Sequence, residues 1–151
     1  MARTTTIILV ASAAASQAVT SSTTVVNDTE LIMPLDANKA YVFGFYVPFS
    51  LASASSGYKF GVTFPASPSS LQVTSEVKNI PAQTLAKIQM DTSPPTVAGA
   101  LATTGNHLYL AEGVVRVGVT SGNLRLQFAQ NVSDAGAITL LTNRYVLVVE
   151  I

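Results

Sequence analysis

Two neighbouring runs decide most of what this chain can fold into. In Tyr41-Val42-Phe43-Gly44-Phe45-Tyr46-Val47-Pro48-Phe49, the odd positions Tyr41, Phe43, Phe45, Val47 and Phe49 lay an aromatic stripe along one face. Tyr58, Phe60, Val62 and Phe64 repeat the pattern, with Lys59, Gly61 and Thr63 on the other side. A side-chain period of two is the signature of a β-strand. Leu71, Val73, Ser75 and Val77 continue it, a weaker run covers residues 85–90, and Leu124, Leu126 and Phe128 oppose Arg125, Gln127 and Ala129. Leu108 and Leu110 followed by Val115, Val117 and Val119 read as one long strand or a bulged pair centred on Glu112-Gly113. Gly44 suggests a close backbone approach or a bulge.

Beyond the N-terminal segment no window of eleven or more residues keeps a 3.6-residue repeat, and Gly or Pro interrupts often. About eight to ten short strands separated by turn residues predict an all-β protein, an antiparallel β-sandwich or jelly roll with an extended N-terminal arm. The 151 residues suit one domain. The expected division is an arm over residues 1–23 and a sandwich over 24–151.

Only 11% of the residues are charged, against a usual ~25%, while 48% are hydrophobic. Eight basic residues balance eight acidic ones, so no basic field exists to gather phosphates, and no nucleic-acid partner is expected. A small neutral chain with so little polar cover is prone to associate. The run 145–151, Tyr-Val-Leu-Val-Val-Glu-Ile, carries apolar residues on both faces and so requires an apolar layer on each side. A homotrimer with this strand near its axis would supply the second layer.

The N-terminal stretch resembles a secretory signal, with Arg3, an apolar run at 7–10 and small residues after it. Three threonines separate Arg3 from that run, which argues for an arm instead. The apolar core is about nine residues, far short of the ~20 that span a bilayer, so no membrane partner is expected. Having too few large side chains for a core of its own, the arm is expected to lie on a neighbouring subunit. The expected subunit interface is Ile7, Ile8, Leu9, Val10, Tyr145, Leu147, Val149 and Ile151.

Catalytic chemistry finds little support. Zero cysteines exclude thiol nucleophiles and thiolate metal sites, and the single histidine, His107, excludes sites that need two. His107 begins a strand and reads as a loop or interface histidine, since no serine-nucleophile elbow accompanies it. Asp28 and Glu30 form the nearest carboxylate pair and read as a solvated turn or edge. Asn27-Asp28-Thr29 and Asn131-Val132-Ser133 match the glycosylation acceptor pattern, but read better as turns whose side chains bond the backbone. No phosphate-binding glycine loop or calcium-loop spacing occurs, so the expectation is no enzyme, no metal and no cofactor.

Three groups of residues carry a family resemblance. They are Ser22-Thr23-Thr24-Val25-Val26-Asn27-Asp28-Thr29-Glu30-Leu31, then Ala40-Tyr41-Val42-Phe43-Gly44-Phe45 with Tyr58-Lys59-Phe60-Gly61-Val62-Thr63, and Leu124-Arg125-Leu126-Gln127-Phe128-Ala129-Gln130-Asn131 with Ser133-Asp134-Ala135. Together they resemble the small β-sandwich virion proteins of tailed bacteriophages. Phe128 stands where that family commonly has Trp, and Pro65-Ala66-Ser67 replaces its glycine-rich loop. The resemblance covers roughly residues 22–64 and 120–151. It implies a viral structural protein, a capsid decoration (cement) protein on the outer surface of the capsid that stabilises the head by bridging capsomers through its N-terminal arm. The implied partners are its own copies as a homotrimer, the major capsid protein and neighbouring decoration trimers. The alternative it leaves open is a tail-fibre or baseplate module that binds the host surface, with loop tips 50–57, 91–96 and 131–137 and stacking by Tyr46, Tyr58 or Tyr109.

Overall fold

The structure is a computed structural model that describes residues 7–91 and 96–151, with the backbone alone at 87–90. Its strands, in chain order, are β1 (Ile8–Ser12), β2 (Gln17–Val19), β3 (Val26–Leu35), β4 (Ala40–Leu51), β5 (Tyr58–Thr63) and β6 (Ser70–Asn79). There follow β7 (Thr84–Asp91), β8 (Thr96–Gly99), β9 (Gly105–Arg116), β10 (Gly122–Ala129), β11 (Ile138–Leu140) and β12 (Tyr145–Glu150). All pairings are antiparallel, and no helix occurs among the described residues.

Two layers face each other. One runs β3-β10-β5-β8; the other runs β1-β12-β4-β9-β6-β7, with β11 and β2 continuing it beside the far half of β4. The chain crosses between layers from β3 to β4 to β5, and again from β8 to β9 to β10, so consecutive strands wrap the sandwich. That is a jelly roll of the eight strands β3 to β10, four in each layer, enlarged on the other side of β4 by β12, β1, β11 and β2.

The aromatic stripes meet in the middle. Tyr41, Phe43, Phe45, Val47 and Phe49 are all buried, as are Tyr58, Phe60 and Val62 opposite them. Phe60 stacks on Tyr109 at 4.4 Å between centroids, and Phe49 meets Phe60 edge-on at 4.9 Å. Each such ring removed from water contributes about 1.5–3 kcal/mol, which makes this stripe the main driving force of the fold.

Of the two readings of the 108–119 stretch the single strand holds, ending at Arg116, and the expectation for Gly44 is corrected. β9 is one unbroken strand, paired with β4 from Ala40 opposite Arg116 to Leu51 opposite Gly105. Its inward residues are His107, Tyr109, Ala111 and Val115, so Leu108 and Leu110 face outward and no bulge is needed to bring them in phase. Gly44 sits in regular pairing, and a Cβ built on it would meet nothing within 4 Å, so neither a close approach nor a bulge explains it. Close approach occurs instead at Gly113, where a Cβ would collide with the Gln72 carbonyl.

Within the span expected as an arm, residues 1–6 lie outside the described residues. Residues 8–12 form the edge strand β1, in register with β12 from Ile8 opposite Val149 to Ser12 opposite Tyr145. Residues 17–19 form β2 on β11. The segment thus lies on its own sandwich and covers the edge that β12 and β11 would otherwise expose. A strand with Leu9 and Ala11 turned inward needs no core of its own, because it borrows one from the sheet it extends.

Candidate functional site

Outward-facing residues of the larger sheet form cross-strand rows. One row runs Ile8, Val149, Val42, Val114 and Gln72; the next runs Val10, Leu147, Gly44, Glu112 and Thr74; the third runs Ser12, Tyr145, Tyr46, Leu110 and Glu76. Ile8 and Val10 are about three-fifths exposed, and Val42, Tyr46, Val114, Tyr145 and Leu147 about two-fifths. The rings of Tyr46 and Tyr145 stack at 5.4 Å on this open surface. A continuous apolar patch over four adjacent strands is the kind of surface that proteins use for association.

The middle of the face is hollow. Gly44 leaves a notch beside Leu147, Tyr46 and Leu110, within a concavity of about 410 Å³. Glu112 stands next to the notch, exposed and with no hydrogen bond or ion pair among the described residues.

Of the expected interface residues, Ile8, Val10, Tyr145, Leu147 and Val149 share this face. Leu9 turns the other way and packs on the core. Ile7 and Ile151 lie just beyond the strand ends and are exposed, Ile7 accepting a hydrogen bond from the Glu150 amide. The expected set omits Val42, Gly44, Tyr46, Leu110 and Val114. Their signal is in the sequence: the even positions of the aromatic run are themselves apolar.

A second site is internal. Arg144, fully buried at the start of β12, donates from Nε to the Asp28 carboxylate, from Nη1 to the carbonyls of Ala15 (2.6 Å) and Leu141 (2.9 Å), and from Nη2 toward Glu30 (3.4 Å). The other Asp28 oxygen accepts the amides of Glu30 and Leu31, while Glu30 accepts those of Ala14 and Ala15. Asp28 is therefore a buried charge with every oxygen engaged rather than part of a solvated turn. The burial is tolerable because a fixed guanidinium fork neutralises it. The Gln17 side chain adds bonds to Asn27 and Thr29. Nothing in the sequence pairs Asp28 with a cation 116 positions away.

A parallel knot surrounds buried Gln130. Its amide oxygen accepts from Ser22 and Asp134, and its amide nitrogen donates to the carbonyls of Asp134 and Gly136. The Ser55 hydroxyl and the Gly136 N–H hold the Asp134 carboxyl below its usual pKa. Two of the stretches that carry the family resemblance, around 27–31 and 124–135, are thus among the places where residues 13–22 are tied to the sandwich.

His107, expected as a loop or interface histidine, is corrected to a core position. It lies 1% exposed inside β9, its ring 5.4 Å from Phe49, and neither ring nitrogen has a hydrogen-bond partner among the described residues. Burial lowers its pKa, with the Thr103 backbone opposing weakly from outside hydrogen-bond geometry. Tyr58 and Tyr109 are buried as well, so of the three tyrosines considered for stacking a ligand only Tyr46 is exposed. Asp28 and Asp134 are occupied as described, and no group of three or more acidic or histidine side chains clusters among the described residues.

No family model and no curated protein matches the chain. Among solved structures it is similar to infectious bursal disease virus, Gx strain, with 9% identity and a TM-score of 0.29, over 97% of this chain and 41% of that one. The Gt strain of the same virus gives 12% identity and a TM-score of 0.28, over 96% and 37%. The chain spans about two-fifths of the viral chains, and superpositions this loose carry no argument about function.

Proposed function

We propose that the chain is a bacteriophage virion structural protein: a decoration protein that sits as a homotrimer on the outer surface of the capsid and bridges capsomers. The observation that carries this reading is the apolar outer face across β1, β12, β4 and β9, which a free subunit has no reason to display. The resemblance of residues 22–64 and 120–151 to small virion proteins of tailed phages supports the setting. Glu112 supports a cyclic arrangement over a two-fold one, because a two-fold packing centred on this face would oppose two carboxylates. Contacts from each subunit to the major capsid protein and to adjacent trimers would be individually weak and collectively tight.

Light scattering on the purified protein should return a trimer mass. Electron microscopy of particles made with and without the protein should show added density on the head. A monomer in solution would overturn the trimer, and bare heads would overturn the decoration role. Binding to host cells, with the protein retained on isolated tails, would select the host-surface module instead.

A further inference from the structure

Strand β9 carries two opposite charges that its own subunit leaves unanswered. Its outward side chains, in order, are Leu108, Leu110, Glu112, Val114 and Arg116. Glu112 and Arg116 are exposed, and neither side chain makes a hydrogen bond or ion pair among the described residues. Four residues of strand hold them about 13 Å apart with Val114 between, so neither neutralises the other. The described cations on or beside this sheet are otherwise engaged, Lys78 with Glu76 at 3.4 Å, Lys39 with Glu150 and Arg144 with Asp28. Glu112 also stands between two hollows. One is the notch at Gly44; the other, of about 460 Å³, is lined by Val42, Val114, Gln72, Thr74 and a second acid, Asp91. Such a hollow suits an arginine, with carboxylate to meet the planar guanidinium fork and valines to receive its methylene stem.

We infer that Arg116 of one copy enters the hollow beside Glu112 of a second copy of this chain, and that this ion pair sets the register in which the apolar faces meet. The apolar side chains between them supply contact area but no register, because one valine packs on another much as on a third. The charges supply it: any packing that sets Glu112 against Glu112, or Arg116 against Arg116, is penalised, while the crossed pairing satisfies both. Because the paired groups are different residues of one subunit, the contact repeats head to tail and closes into a ring. The inference rests on the self-association in the reading above and names the contact that orients it.

A sedimentation series on the full chain tests the pairing. Glu112→Arg and Arg116→Glu should each weaken association by about ten-fold or more, since each sets like charges in contact. The exchange of both, E112R/R116E, should restore it. Glu112→Gln and Arg116→Gln repeat the test with smaller changes should a reversal misfold: each should weaken association, and the two together no more than one alone. Mixing the two single reversals should restore association only in part, because a ring of three keeps one contact between two cations or two anions. Complete restoration in the mixture would mean an even number of copies, upholding the pair and overturning the trimer. Reversals without effect, or a double exchange no better than the singles, would overturn the pairing and leave the self-association standing. A wild type that stays monomeric at every concentration would overturn both.

Discussion

The two outer faces of this sandwich are built by the same strand chemistry and dressed for different surroundings. On the four-stranded sheet the outward positions of the central strands β5 and β10 include Lys59, Thr63, Asn123, Arg125 and Gln127, as expected where a sheet meets water. On the larger sheet the corresponding positions are Val10, Val42, Tyr46, Val114 and Leu147. Inward residues are alike in both. The difference teaches that the low charge of the chain is not spread evenly: polar side chains gather on one side, and the other carries an exposed apolar patch.

Breaking the sandwich that carries both faces should have the largest effect. Arg144 sits at the root of β12 in one sheet and grips Asp28 of β3 in the other. Arg144→Ala would leave a buried carboxylate unpaired and should cost about 3–5 kcal/mol in urea unfolding. The double replacement Arg144→Met with Asp28→Leu should recover much of that. Equal losses in single and double variants would show that the pair has no such role.

Next in size is a charge placed on each face in turn. Leu147→Glu should weaken association by about 2 kcal/mol or more, roughly 30-fold, by sedimentation. Gln127→Glu on the opposite sheet should leave the oligomer unchanged. If both act alike, the two faces are not functionally different.

A finer distinction comes from the notch. A Cβ at Gly44 meets nothing in the single chain, and glycine weakens a strand interior, so Gly44→Ala should stabilise the subunit by about 0.5–1 kcal/mol. If a partner side chain fills the notch, the same variant loosens the oligomer. Stabilisation with tighter association would show that nothing enters there.

The smallest effect lies between the faces. Because burial depresses the pKa of His107 in the folded state, its contribution to stability is present above the ordinary value near 6.5. That contribution falls as the pH drops below 6.5 toward the folded pKa, since the unfolded chain then binds a proton that the folded one refuses. Thermal melts of the wild type should decline through this window, and His107→Phe, packed against Phe49, should flatten the decline. An unchanged slope would assign the pH dependence to the carboxylates, which act lower.

The sandwich was legible because its strongest signals are local. Tyr41 to Phe49 and Tyr58 to Phe64 declare their faces within a single run, and both faces lie where the alternation puts them. Long-range choices were not legible. Asp28 reads as a turn residue until Arg144 arrives from the far end of the chain, and Gln130 looks like any exposed amide until Ser22 meets it. His107 was misplaced for a related reason: a histidine after Gly-Asn looks like loop, whereas β9 begins two residues earlier. The interaction face was half visible, because a strand apolar on both sides stood out at 145–151 but was masked by the brighter stripe in β4. Residues 8–12 escaped notice as a strand because an edge strand that leans on its neighbour needs few large residues.

The pairing of Ile8 with Val149 also sets the order of events during synthesis. The first strand of this sheet has no partner in its own chain until nearly all the rest has been made, and contacts this distant in sequence form slowly. Until then the outer edge of β12 stands bare, so the border of the larger sheet is the last part of the sandwich to close.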